Sequence, residues 1–218
     1  FLIPWAMIFI LFPRFRERMW KVSLYTMPFG LTEPLFVPEY WNPPTLFNLA
    51  QNTGFDIESL IFCFGIGGIS VVLYNLITRI HEKNVLESER HAKRHRYHRI
   101  ALFSPFLIFL ALVFFKWNAI YPGIIAMLGG SLATVFCRPD LLKKTWIGGV
   151  IFVVYYYFFL LGLEWLSPGY VDKYWNLQNL SQITIFNFPI EEFLFALSFG
   201  MYWSSVYEHL YWKKLAEK

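Results

Sequence analysis

Seven long apolar stretches, joined by loops whose basic residues fall on every second connection, leave this chain few folds to choose from. A helix that crosses a bilayer needs about 20 largely apolar residues. The stretches at 19–38, 56–78, 100–117, 119–137, 146–166 and 188–212 approach or meet that length, and 1–12 reads as the end of a first span cut short. Pro28, Pro34, Pro105 and Pro122 lie within or beside them, which membrane helices tolerate when neighbours satisfy the freed carbonyls. Charged residues make up only 16% of the chain, against about 25% in soluble domains. The expected fold is all-α: a polytopic membrane bundle of about seven transmembrane helices.

The loops set the orientation. Of 19 Lys and Arg, 17 follow the first, third, fifth or seventh stretch, and only Lys116 and Lys173 fall on the other connections. The positive-inside rule makes the basic side cytoplasmic. An integral protein of the cell membrane is expected, with its N-terminus outside and its C-terminus, with Lys213, Lys214 and Lys218, inside. The net charge of +4 is then an anchoring pattern and not the footprint of nucleic acid. The run HAKRHRYH at 91–98 reads as the cytoplasmic anchor between the third and fourth stretches. Metal binding by His91, His95 and His98 is the minor reading, because no ligand geometry can be read from their spacing. Cys63 and Cys137 stand far apart in apolar surroundings and read as buried thiols, so no metal site is expected.

The chain also repeats itself. FDIESLIFCFGIGGISVVLYNLI (55–77) aligns without gaps on FPIEEFLFALSFGMYWSSVYEHL (188–210), with identities at Phe55/Phe188, Ile57/Ile190, Glu58/Glu191, Phe62/Phe195, Gly67/Gly200 and Tyr74/Tyr207. Upstream, Gly30-Leu31 and Tyr40-Trp41-Asn42 match Gly162-Leu163 and Tyr174-Trp175-Asn176. We therefore expect a single membrane domain over 1–218, comprising a first repeat (1–80), a basic loop with a connecting helix (81–117) and a second repeat (118–218). A shift of four helices preserves orientation, so the two three-helix repeats are parallel, about an axis along the membrane normal.

Carboxylates at membrane depth are costly and need a reason. Glu33 and Glu164 lie near the outer ends of the second and sixth stretches. Asp56, Glu58, Glu191 and Glu192 lie in the first turns of the third and seventh. A helix N-terminus favours acids for structural reasons alone, and Asp56 reads as an N-cap. Glu58 and Glu191 are harder to set aside: they share one repeat position, and each stands four residues before a Phe, hence on the same helix face. A carboxyl without a basic partner in apolar surroundings is held neutral and can donate a proton. GIGGIS at 65–70 lacks the third glycine of a dinucleotide loop and reads as small-residue helix packing. No Walker motif, zinc motif, nucleophile elbow or Asp-rich diphosphate motif is present, and the last stretch has no interior Lys for a retinal Schiff base.

NFPIEEFLFALSFG at 187–200, with its diverged earlier copy GFDIESLIFCFGIG, resembles the lycopene cyclase domain family. Its members are small membrane proteins, heterodimeric in bacteria and fused into one polypeptide in archaea and fungi. The most specific element is Pro-x-Glu-Glu-x-x-x-Phe, present approximately as Pro189, Glu191, Glu192 and Phe195; the first copy has Asp56 for the proline and Ser59 for the second acid. The resemblance implies redox-neutral closure of a linear isoprenoid end, with Glu191 as acid and Glu58 or Glu192 as base. The catalytic candidates are thus Glu191, Glu192, Glu58, Asp56, Glu33 and Glu164. It implies no cofactor, and as partners only membrane lipid and a hydrophobic carotenoid, with a homo-oligomer open to such a chain. Phe62, Phe195, Trp41 and Trp175 are candidates to bind substrate and face its cation. The alternative is a membrane transporter, or an isoprenoid-binding partner subunit without activity of its own.

Overall fold

The computed structural model describes residues 1–216; Lys218, one of the basic residues placed after the last stretch, lies outside them. Helices stand at all seven apolar stretches: α1 (Leu2–Leu11), α2 (Arg16–Thr26), α3 (Ile57–Thr78), α4 (His98–Leu112), α5 (Ile120–Cys137), α6 (Leu142–Leu166) and α7 (Ile190–Leu210). Three are long and apolar enough to cross a membrane: α3, α5, and α6 with the 3-10 turn that leads into it from Pro139. The second stretch departs from the expected single helix. Beyond Thr26 it tightens into a 3-10 helix over Met27–Leu35 that contains Pro28 and Pro34. A proline inside an α-helix removes one hydrogen bond and clashes with the carbonyl four residues back. The fourth helix stops at Leu112, short of the expected 117.

The described residues form two compact units, one of residues 1–69, 117–121 and 154–194, the other of 70–116, 122–153 and 195–216. Four of their five boundaries fall inside α3, α5, α6 and α7, and the fifth, at 116/117, between α4 and α5. In the first unit α1 lies on α2 through Trp5, whose Nε1 donates to Ser23 Oγ at 2.9 Å. Met19 and Val22 are fully buried there. Gly67 and Gly68 let this layer approach α3: a Cβ on Gly67 would meet Thr26, and one on Gly68 would meet Ser23 and Trp5. The loops of this unit are joined by an isolated bridge between Trp41 and Trp175. Asn42 N–H donates to Tyr174 O at 2.7 Å and Asn176 N–H to Tyr40 O at 2.9 Å. The two matched Tyr-Trp-Asn triplets thus pair with each other, in a local two-fold manner.

In the second unit α6 and α7 make the corresponding close approach. A Cβ on Gly200 would lie 2.5 Å from Phe152 Cβ and 3.0 Å from Gly149 Cα. Two of the basic residues that set the charge pattern are not surface charges here: Arg138 is 1% exposed and Lys144 0%. A buried charge persists only when paired. Lys144 is bonded to the equally buried Glu208, and Arg138 grips Asp140 at 2.8 and 2.6 Å while donating to Lys213 O at 2.6 Å. A two-stranded antiparallel pair, β1 (Glu82–Asn84) with β4 (Lys213–Leu215), closes this unit's loops.

Candidate active site

The start of α7 is fixed by a tight hairpin that the apolar pattern did not reveal. β2 (Thr184–Ile185) pairs with β3 (Phe188–Pro189), and Phe186 and Asn187 turn between them with φ of 49° and 67°. Positive φ at both central residues matches the twist of a two-residue hairpin. Asn adopts it readily, whereas Phe186 accepts the strain. Pro189 ends β3, one residue before α7 begins, and Ile190 N–H closes the hairpin on Ile183 O at 2.9 Å. Glu191 and Glu192 follow in the first turn of α7, 0% and 1% exposed.

Glu192 sits in a cradle of neutral donors. Oε1 takes the Tyr40 hydroxyl and, at 2.6 Å, Trp175 Nε1; Oε2 takes the Tyr156 hydroxyl at 2.8 Å. Hydrogen bonds to a charged group are worth about 1.5–3 kcal/mol each. Three of them replace much of the solvation that a buried carboxylate loses. Burial and the charge of Glu192 in turn push the Tyr40 phenol well above its usual range, which keeps it a donor. Glu191 is held on one side only: Oε1 accepts from Tyr121 OH at 2.7 Å and from Ser181 N–H at 2.8 Å. Its Oε2 is buried and has no hydrogen-bond partner among the described residues.

The matching turn of α3 is built otherwise. Glu58 is exposed and accepts the Leu46 N–H at 2.6 Å. Asp56 caps α3 through the Ser59 N–H at 2.6 Å, while Glu33, 4% exposed, accepts the Asp56 N–H at 2.9 Å. Glu164 takes the N–H groups of Gly169 and Val171, both at 2.8 Å, and so fixes the loop that leads to Trp175.

Among the aromatic candidates, Trp175 is bonded to Glu192 and Trp41 stands against it at 5.4 Å. Phe62 joins a ring cluster through Phe1, 5.1 Å away; Phe1 also stacks on Tyr156 at 6.2 Å, so the cluster reaches one of the donors to Glu192. Phe195 belongs to the second unit, where its ring lies 5.5 Å from that of Phe199. Sequence reasoning missed Tyr40, Tyr121 and Tyr156. Tyr40 carried a signal as part of a repeated triplet; Tyr121 and Tyr156 lie in apolar runs and carried none.

Fold and site together define a helical protein with membrane-length apolar helices and two adjacent buried acids, one cradled by phenol and indole donors. Residues 118–210 match the lycopene cyclase family, and the resemblance read from Pro189, Glu191 and Glu192 holds over that stretch. It includes both acids with Tyr121, Tyr156, Trp175 and Ser181; Tyr40 and the acids of α3 lie outside it. No curated protein and no solved structure matches the chain.

Proposed function

We propose that this protein is a carotenoid cyclase that closes the end of a linear, lycopene-like isoprenoid by redox-neutral, proton-initiated isomerisation within the membrane. The observation that carries the reading is the pair Glu191–Glu192: one acid with an unpartnered buried oxygen, beside one held by three donors. Glu191 gives the proton on Oε2 to the terminal double bond of the substrate. The tertiary cation formed is attacked by a neighbouring double bond, and the new carbon–carbon bond closes a six-membered ring. The ring cation then loses a proton to Glu192, whose Oε2 accepts from one donor only and keeps a lone pair free. One proton enters and one leaves, so the product is an isomer. Two carboxyls in environments this different match the division into acid and base that such chemistry needs. Aromatic faces near Tyr156 and Trp175 favour the cation over water.

The same reading takes the seven helices as transmembrane spans in two repeats. The symmetric Trp41–Trp175 bridge and the glycine approaches of α3 to α2 and of α7 to α6 support that arrangement. The charge pattern supports acids on the outer side and basic loops in the cytoplasm.

The test is expression in a lycopene-accumulating host, in ordinary and in heavy water. The expected product has the mass of lycopene and, made in heavy water, carries one solvent deuteron per ring at the carbon protonated first. Unchanged lycopene around a folded, membrane-inserted protein would remove the enzyme reading and favour a transporter or partner subunit.

A further inference from the structure

We propose that His95, His98 and Cys137 form a binding site for a zinc-class divalent metal ion, which pins the basic loop to the end of α5. Among the described residues, these three offer ligand atoms that all lie within 4.8 Å of one another. Cys137 Sγ stands 3.5 Å from His95 Nδ1 and 3.5 Å from His98 Nδ1. A tetrahedral zinc ion, with bonds of about 2.0 Å to nitrogen and about 2.3 Å to sulfur, holds such ligands about 3.5 Å apart. His91, the third histidine of the run, is exposed and outside the group.

The surroundings suit an ion better than an empty cluster. His95 and Cys137 are 7% and 5% exposed. Trp212 covers the site, stacked on His98 at 4.0 Å and edge-on to His95 at 5.1 Å. His209 stands against His98 with ring centroids 4.4 Å apart. It is 1% exposed, and its Nε2 has no partner among the described residues. His209 stands outside the group of three ligands, so the fourth position of a tetrahedral ion there is left to water. Two cations stand nearby: Arg138 is matched by Asp140 at 2.8 and 2.6 Å, and Arg94 Nε faces His95 Nε2 at 3.3 Å. On binding, the Cys137 S–H bond breaks, a metal–sulfur bond forms and one proton leaves to solvent, while the His95 proton moves from Nδ1 to Nε2 and the Arg94 contact at Nε2 is released, with no change of oxidation state. The site is independent of the cyclase reading, and its test uses no carotenoid.

The full chain, purified in detergent without a histidine tag, should retain one zinc per chain by elemental mass spectrometry. After chelation, cobalt should give a near-ultraviolet thiolate-to-cobalt band that zinc then abolishes. Cys63→Ser and His91→Ala should keep band and metal, whereas Cys137→Ser should lose both. Should Cys137→Ser fail to fold, the wild-type chain still decides: zinc should protect it against thermal unfolding in detergent and chelator should remove that protection. A folded wild-type chain with no retained zinc, no cobalt band and no zinc-dependent protection would overturn the site. So would retained copper in place of zinc.

Discussion

The first turns of α3 and α7 begin from nearly the same sequence and end as different devices. Phe-Asp-Ile-Glu-Ser leads into α3 and Phe-Pro-Ile-Glu-Glu into α7. Ahead of α3, Asp56 provides a side-chain cap, and Ser59 stands where α7 has its second acid. The carboxylates there turn to backbone N–H groups, Asp56 to Ser59, Glu33 to Asp56 and Glu58 to Leu46, and Glu33 keeps a buried Oε1 with no partner among the described residues. Ahead of α7, proline offers no cap, and a hairpin with a Ser181 contact fixes the helix start instead. Its second acid is met by side chains, two phenols and an indole. At α3 the acids meet backbone N–H groups alone, whereas at α7 side-chain hydroxyls reach both adjacent acids, Tyr121 at Glu191 and Tyr40 and Tyr156 at Glu192.

The largest effect should therefore fall on α7. Glu191→Gln preserves shape and removes the strong acid. General acid catalysis contributes about 10²–10⁴-fold, so ring formation should drop by at least about that much, with the helical circular dichroism unchanged. Glu58→Gln should alter turnover by no more than about twofold, the scale of a surface substitution worth under about 0.5 kcal/mol. Pigment chromatography from cells expressing each variant at equal level measures both. Equal losses at the two positions would break the contrast and make α3 a second site.

A smaller effect sharpens the role of the cradle. Tyr156→Phe deletes one of the three donors to Glu192 while leaving the ring cluster with Phe1 in place. The loss of a hydrogen bond to a charged group, about 1.5–3 kcal/mol, corresponds to a turnover roughly 10- to 100-fold slower. The parallel variant Tyr157→Phe, one residue on and not among the described donors to Glu192, should stay near wild type. If Tyr156→Phe turns over normally, the cradle stabilises the fold and not the reaction.

Much of this contrast is legible in the sequence. The apolar stretches placed the seven helices, because burying apolar surface along a helix leaves a pattern of matching length in the sequence. The repeat placed Glu58 and Glu191 at equivalent helix starts, and it flagged the Tyr-Trp-Asn triplets that pair across Trp41 and Trp175. What could not be read was which polar groups converge from distant segments. Tyr40 and Glu192 are 152 residues apart in sequence, and Tyr156 lies in a run of aromatics where every ring looks alike. Lys144 was hidden for a related reason: in sequence it is one of two adjacent lysines in a basic loop, and only its burial against Glu208 separates it from Lys143. The hairpin before α7 was also missed, since its two strands are only 2 residues each.

The smallest expected effect concerns Glu164, near the end of α6. Glu164 binds the N–H groups of Gly169 and Val171 at the entry of the short helical turn Tyr170–Tyr174, much as a capping side chain does. Gly169 holds φ of 76°, a conformation that costs glycine little, so the turn depends on Glu164 more for its donors than for its shape. Losing such a cap costs about 1 kcal/mol, which for a chain of this size lowers the melting temperature by about 2–4 °C. Glu164→Ala should show that shift in a detergent thermal melt, with turnover per folded molecule retained. Glu164→Gln keeps one acceptor oxygen and should recover part of the shift. Trp175 follows this turn directly, so a loop that moved far enough to withdraw its indole from Glu192 would cost activity as well. A Glu164→Ala variant that melts normally but cyclises slowly would therefore place Glu164 among the groups acting on the reaction, beside Glu191 and Glu192, and not among those that only hold the loop.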